Sequence, residues 1–217
     1  GLNPSAGYLV GTEVSRKSIS VAVTNFKGQL IEYQEGVPFT LGNSEESFRE
    51  LCRHITGILE KAEIDPAHVL SYGFNLSGRV NNKTGYCFTY FIGEDRPIAS
   101  FLQSELKRPV FVENDSRAMT YGEYICGAAN DEDNMLFINV SWGLGMGMIS
   151  DGKLSYGKSG FSGEIGHFPF LDNDQICHCG KTGCLEQYAS ATGIVRLARK
   201  KLLDFNGETV LQMESVT

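Results

Sequence analysis

Twice in this chain an apolar, partly alternating run breaks at a short polar turn and resumes, and each time it does so three strands in a row. The first set is Tyr8–Val14, Ser18–Asn25 and Gln29–Phe39, interrupted by Ser15-Arg16-Lys17 and Lys27-Gly28. The second is Met135–Val140, Leu144–Ser150 and Lys153–Tyr156, interrupted by Ser141-Trp142-Gly143 and Asp151-Gly152. Turns this short force neighbouring strands to run antiparallel, so each set is expected to form a meander. Two halves that open alike point to a duplicated α/β unit, two lobes with a cleft between them. The expected lobes are residues 1–118 and 119–217.

Between the meanders the period changes. Phe48, Leu51, Cys52, Ile55, Ile58, Leu59 and Ala62 recur at helical spacing, with Asn43 and Glu46 as a capping box. Val69–Leu76 and Pro109–Val112 read as strands, Ile98–Leu106 and Ala118–Ile125 as helices, and Ser77–Tyr90 as a polar loop. Ala128–Asn134, AANDEDN, is an acidic connector suited to a lobe boundary. Leu185–Phe205 reads as one helix with a basic end. A second lobe with one meander and one helix is unfinished, so the chain is expected to be a piece of a longer protein.

A formal net charge of −7 over 217 residues argues against a broad surface for nucleic acid or anionic lipid, which needs clustered Lys and Arg. No apolar run is long enough to span a bilayer, and the first residues lack the parts of a signal peptide, so the expected setting is cytoplasmic. Six cysteines in a reducing compartment are expected to stay reduced.

Four potential metal ligands crowd one loop. His167, Cys177, Cys179 and Cys184 form H-x9-C-x-C-x4-C, with Gly180 and Gly183 allowing a sharp reversal. Four soft or borderline donors match tetrahedral zinc and leave no position for water, which marks the expected metal as structural. Free or disulfide-linked thiols are the alternative, and His178 is a competing ligand. Elsewhere, Asn114-Asp115 at a strand end is either a ligand site or a helix cap. Gly143-Leu144-Gly145-Met146-Gly147 either cradles a phosphate or merely fits a tight hairpin. Glu164 and His167 of SGFSGEIGH either grip a polyol or belong to a plain loop.

In this order and spacing, ENDSRAMTYGE, SGFSGEIGH and CHCGKTGCLEQYAS resemble the ROK family (repressor, open reading frame, kinase). The resemblance runs from about Tyr8 to the end. It implies a two-lobed actin-like, ribonuclease-H-like sugar kinase fold whose second lobe is incomplete here. In family kinases the Asp of END is the general base on a sugar hydroxyl, which places that role on Asp115 if the chain is a kinase. The resemblance assigns sugar contacts to Asn114, Asp115, Glu164, His167 and Glu186, and puts Gly78 beside the sugar. Zinc would orient the loop so that His167 and Glu186 face it.

The first phosphate loop departs from the pattern. Family kinases carry D-x-G-G-T there, whereas this chain has Glu13-Val14-Ser15-Arg16-Lys17. Ser15, Arg16 and Lys17, with Gly143 and Gly145 of the second loop, are therefore a degenerate phosphate site. Glu-x-x-Arg resembles the repressor branch, typified by xylose and N-acetylglucosamine repressors, in which a winged helix-turn-helix precedes the ROK body. The resemblance thus implies the sugar-sensing body of a transcriptional regulator, homo-oligomeric, binding a sugar or sugar phosphate and reaching DNA only through a domain absent from this chain. The alternative it implies is an ATP- and Mg-dependent hexose kinase.

Overall fold

In the computed structural model, which describes residues 3–90, 96–129 and 132–204, the first meander is β1 (Tyr8–Val14), β2 (Ser18–Asn25) and β3 (Leu30–Pro38). Val10 and Val14 of β1 and Ile19, Val21 and Val23 of β2 alternate onto one buried face, as period-2 patterning requires. The sheet then grows on its other edge by two parallel strands, β4 (Val69–Leu76) and β7 (Val110–Asn114), in the order β3-β2-β1-β4-β7. Between them the expected loop holds a small ribbon, β5 (Val80–Asn81) with β6 (Tyr86–Cys87). Two-residue strands carry too little alternation to be read from sequence.

Helix α1 (Glu45–Lys61) covers the buried face with Phe48, Leu51, Cys52, Ile55, Ile58 and Leu59. Helix α2 (Ile98–Leu106) adds Phe101, whose ring meets Phe48 edge-on at 6.1 Å. The α1 cap differs from the expected Asn43–Glu46 box. Ser44 is the N-cap, its side chain accepting from Ser47 N–H, and Glu46 instead pairs with Arg53 at 2.8 Å. With Ser44 as cap, Glu46 is the second helical residue and the box position three after the cap is Ser47, so the exposed carboxylate pairs with a guanidinium instead of reaching back. Ser44→Ala is expected to cost about 1 kcal/mol in a denaturant titration; an unchanged midpoint would show that the cap contributes nothing.

The second meander is β8 (Met135–Val140), β9 (Leu144–Ser150) and β10 (Lys153–Leu154), the last shorter than expected. Asp151 and Gly152 both take positive φ, the geometry of a two-residue hairpin turn. The expected single helix from Leu185 is two, α4 (Glu186–Ala189) and α5 (Ala191–Leu203), because Ser190 is extended and caps α5 by accepting from Gly193 N–H. The expected end of that helix at Phe205, the tail beyond it and residues 130 and 131 of the connector lie outside the described residues.

Helix α3 (Asp115–Cys126) starts at Asp115, three residues earlier than its apolar period suggests. The chain divides into two units between Ala118 and Met119, and the short segment Lys158–Phe161 groups with the first. Among the described residues no helix is long and apolar enough to cross a membrane.

Candidate functional site

In the first unit the parallel strands bring their C-terminal ends to one sheet edge. Val14 of β1 pairs in register with Leu76 of β4, and Leu76 with Asn114 of β7. The residues that follow them, Ser15-Arg16-Lys17, Ser77-Gly78 and Asp115, therefore share that edge, where ligand sites of α/β sheets collect.

Asn114 caps α3, its Oδ1 accepting Arg117 N–H at 3.0 Å. Of the two roles expected here, the cap is the one the structure shows. Capping fixes the amide so that Nδ2 donates to Gly78 O and to Asp115 Oδ1, each at 2.9 Å. Asp115 Oδ1 also accepts Ser116 N–H at 2.7 Å, while Oδ2 accepts the Ser77 hydroxyl at 2.9 Å. Gly78 has φ +92, and a Cβ there would run into the Thr89 side chain, so glycine is required. Tyr90 belongs to the same corner: burial pushes its phenol up, Cys87 and Asp115 push the same way, and Arg16 opposes them.

The turn carrying Ser15, Arg16 and Lys17 is tied into the hairpin at both ends. Ser15 N–H is spent on Ser18 O at 2.9 Å, Ser15 Oγ donates to Glu13 at 3.3 Å, and Lys17 O accepts Phe39 N–H at 3.0 Å. Arg16 and Lys17 are exposed.

The second unit holds the Cys/His loop. Ligand atoms of His167, Cys177, Cys179 and Cys184 all lie within 4.8 Å of one another. Cys179 Sγ is 3.6 Å from Cys184 Sγ, and Cys177 Sγ is 3.6 Å from His167 Nδ1. Zinc bonds of about 2.3 Å to sulfur and about 2.0 Å to nitrogen give tetrahedral edges of about 3.8 and 3.5 Å, so these donors fit a zinc ion. Cys184 is buried, and its thiol is pushed up to about 12, first by that burial and then by Cys179 and Cys177. Such a thiol gives up its proton readily only to a cation that replaces it.

A second ligand set, His167, Cys177, His178 and Glu186, overlaps the first. It requires Glu186, which is already engaged: Oε2 accepts Leu144 N–H at 3.0 Å and Oε1 lies 3.4 Å from His178 Nδ1. A Cβ at Gly143 would come within 2.9 Å of Glu186 Oε2, so that glycine admits the carboxylate. Gly145 and Gly147 are strand residues of β9. His167 turns Nε2 toward Glu164 Oε2 at 3.9 Å, leaving Nδ1 on the sulfur side. Glu164 and His167 line an open pocket of about 550 Å³ with Ile165, Phe168, Pro169, Lys181 and Leu185.

Sequence reasoning missed Ser77, Glu113, Arg117 and Tyr90. Only the four-residue spacing of Glu113 and Arg117 carried a signal for an ion pair, which closes at 2.8 Å.

Residues 9–215 match the sequence profile described as the ROK family. The chain is 32% identical over 201 residues to a xylose repressor of Bacillus spizizenii, covering 92% of this chain and 52% of that protein. It is also 32% identical over 198 residues to a glucokinase of Halalkalibacterium halodurans, covering 88% and 59%. Among solved structures, a ROK family transcriptional regulator homologous to the E. coli MLC protein superposes with a TM-score of 0.79 at 25% identity, over 96% of this chain and 53% of that one. A ROK family glucokinase from Streptomyces griseus in complex with glucose and AMPPNP gives 0.77 at 27% identity, over 91% and 62%. The chain spans about half the length of the repressors it matches. The fold is the actin-like, ribonuclease-H-like one of ROK sugar kinases and regulators, as the motifs implied.

Proposed function

The chain belongs to the ROK family, and from that premise we propose that it is the sugar-sensing body of a transcriptional regulator of carbohydrate metabolism. Repressor and glucokinase relatives stand at the same 32% identity, so the reading rests on one observation, the β1–β2 turn. A glycine-rich turn wraps phosphates with free backbone N–H groups. This turn has no glycine, spends Ser15 N–H within the hairpin and exposes two bulky cations.

In this reading Asn114 and Asp115 of the first unit, beside Gly78, and Glu164, His167 and Glu186 of the second take sugar hydroxyls. One zinc on His167, Cys177, Cys179 and Cys184 fixes the loop that carries His167 and Glu186. A ligand that prefers one conformational state shifts the population toward it, which is how a bound sugar alters a linked reading domain. With a net charge of −7, DNA is reached through a winged helix-turn-helix outside this chain, in a homo-oligomer. Asp115 favours a second reading, an ATP- and Mg-dependent hexose kinase, because its Oδ2 accepts the Ser77 hydroxyl where a sugar hydroxyl would also be received.

Calorimetric titration of the full polypeptide with a panel of aldoses, amino sugars and their phosphates tests the reading. One member is expected to bind at micromolar to millimolar concentration. Binding by none would end it.

A further inference from the structure

We infer that Arg117 is a positioning residue that fixes the Asn114–Asp115 corner for its ligand, an inference that rests on the sugar reading above. Arg117 is 1% exposed and heads the fully buried side chains by volume. A guanidinium that deep is tolerated only when its charge is paired and its N–H groups are bonded. Both conditions hold. Nε donates to Glu113 Oε1 at 2.8 Å, NH1 to Gly160 O at 3.1 Å and NH2 to Val80 O at 2.6 Å.

These acceptors come from three separate stretches of the first unit: the END strand, the β5 ribbon and the Lys158–Phe161 segment. The END stretch is held by three further bonds. Glu113 Oε1 also accepts Asn114 N–H at 2.8 Å, Glu113 Oε2 accepts Asn82 Nδ2 at 3.0 Å, and Arg117 N–H holds Asn114 Oδ1. The Asn114 amide in turn holds Asp115 Oδ1. The orientation of the Asp115 carboxylate is thus the last link of a chain that begins at the guanidinium. The segment around Gly160 is pinned independently by an edge contact between Phe161 and Phe88, with ring centroids 5.5 Å apart. Lysine cannot replace this fork, because its three N–H groups radiate from one nitrogen, whereas these acceptors are met by three nitrogens spread across the guanidinium plane.

A purely structural role makes a different prediction, since a buried ion pair can be exchanged for uncharged groups of similar size with little loss of fold. The test uses the full polypeptide carrying Arg117→Lys, the double replacement Glu113→Gln with Arg117→Met in case the single variant fails to fold, and Phe48→Leu as a destabilised core control remote from the site. Each is titrated with the sugar that binds the wild type, at an equal margin below its own Tm, and followed by hydrogen exchange. Arg117→Lys and the double variant are expected to lose at least about tenfold in sugar affinity, with exchange faster at Asn114, Ser116 and residues 158–161 than elsewhere in the unit. Wild-type affinity in either variant, a loss no larger than in Phe48→Leu, or exchange that rises evenly throughout would overturn the assignment. If the wild type binds no sugar, the sugar reading falls separately, and the exchange pattern alone decides whether Arg117 orders the corner.

Discussion

Cys184→Ser is expected to empty the proposed zinc site and loosen residues 167–186 while leaving the first unit intact. Three thiols and an imidazole lie within 4.8 Å of one another, a donor set that matches tetrahedral zinc. Cys184 is the most deeply buried of them, at 0% exposure, and its strand-like bridge to Pro169 ties the two ends of the loop together. A serine hydroxyl is a poor zinc ligand and stays protonated, so the set drops to three donors. Since loss of an outer partner alone costs about 10–100-fold in metal affinity, loss of a direct ligand is expected to exceed that. Metal analysis should find about one zinc per wild-type chain and a small fraction of that in the variant. Hydrogen exchange should quicken across the loop and remain slow in α1, whose core of Phe48, Leu51 and Ile55 shares no residue with the metal set. Equal zinc in variant and wild type would remove Cys184 from the ligand set.

Asp115→Asn is the second large effect, and the hydrogen bonds make it unusually clean. Oδ1 receives two N–H donors, from Asn114 and Ser116, so the amide oxygen must remain there. The new NH2 then occupies the Oδ2 position opposite the Ser77 hydroxyl, which can reverse its role and accept. The corner keeps its shape and loses one charged acceptor. Hydrogen bonds to charged groups are worth about 1.5–3 kcal/mol, so sugar affinity is expected to fall by roughly 10–150-fold with the thermal midpoint nearly unchanged. Calorimetry with the sugar that binds the wild type checks this. Equal affinity would mean that Asp115 serves only the start of α3.

What was legible in the sequence was whatever lay close together in it. The Cys/His set falls within residues 167–184, so spacing alone assembled it, and both meanders were readable because alternation and turn chemistry are local. The errors were equally local. Ser44 caps α1 although the neighbouring Asn43 also fits a cap, and Ser190 divides a helical period that continues on both sides. The Arg117 hub was invisible for a different reason: its acceptors Val80 and Gly160 lie 37 and 43 residues away. No period or motif marks a contact of that separation. At Asn114-Asp115 the structure shows the cap, and the same amide also holds Gly78 O, a contact 36 residues away in sequence.

The central claim, a sugar sensor without phosphoryl transfer, is tested most directly by incubating the full polypeptide with its bound sugar, Mg and γ-labelled ATP at enzyme excess. The degenerate β1–β2 turn predicts that the sugar stays bound and unlabelled through many minutes, whereas at about 1–100 per second, typical of kinases, a turnover is complete within seconds. Labelled sugar phosphate produced by the wild type and absent with Asp115→Asn would contradict the account and make the chain part of a kinase.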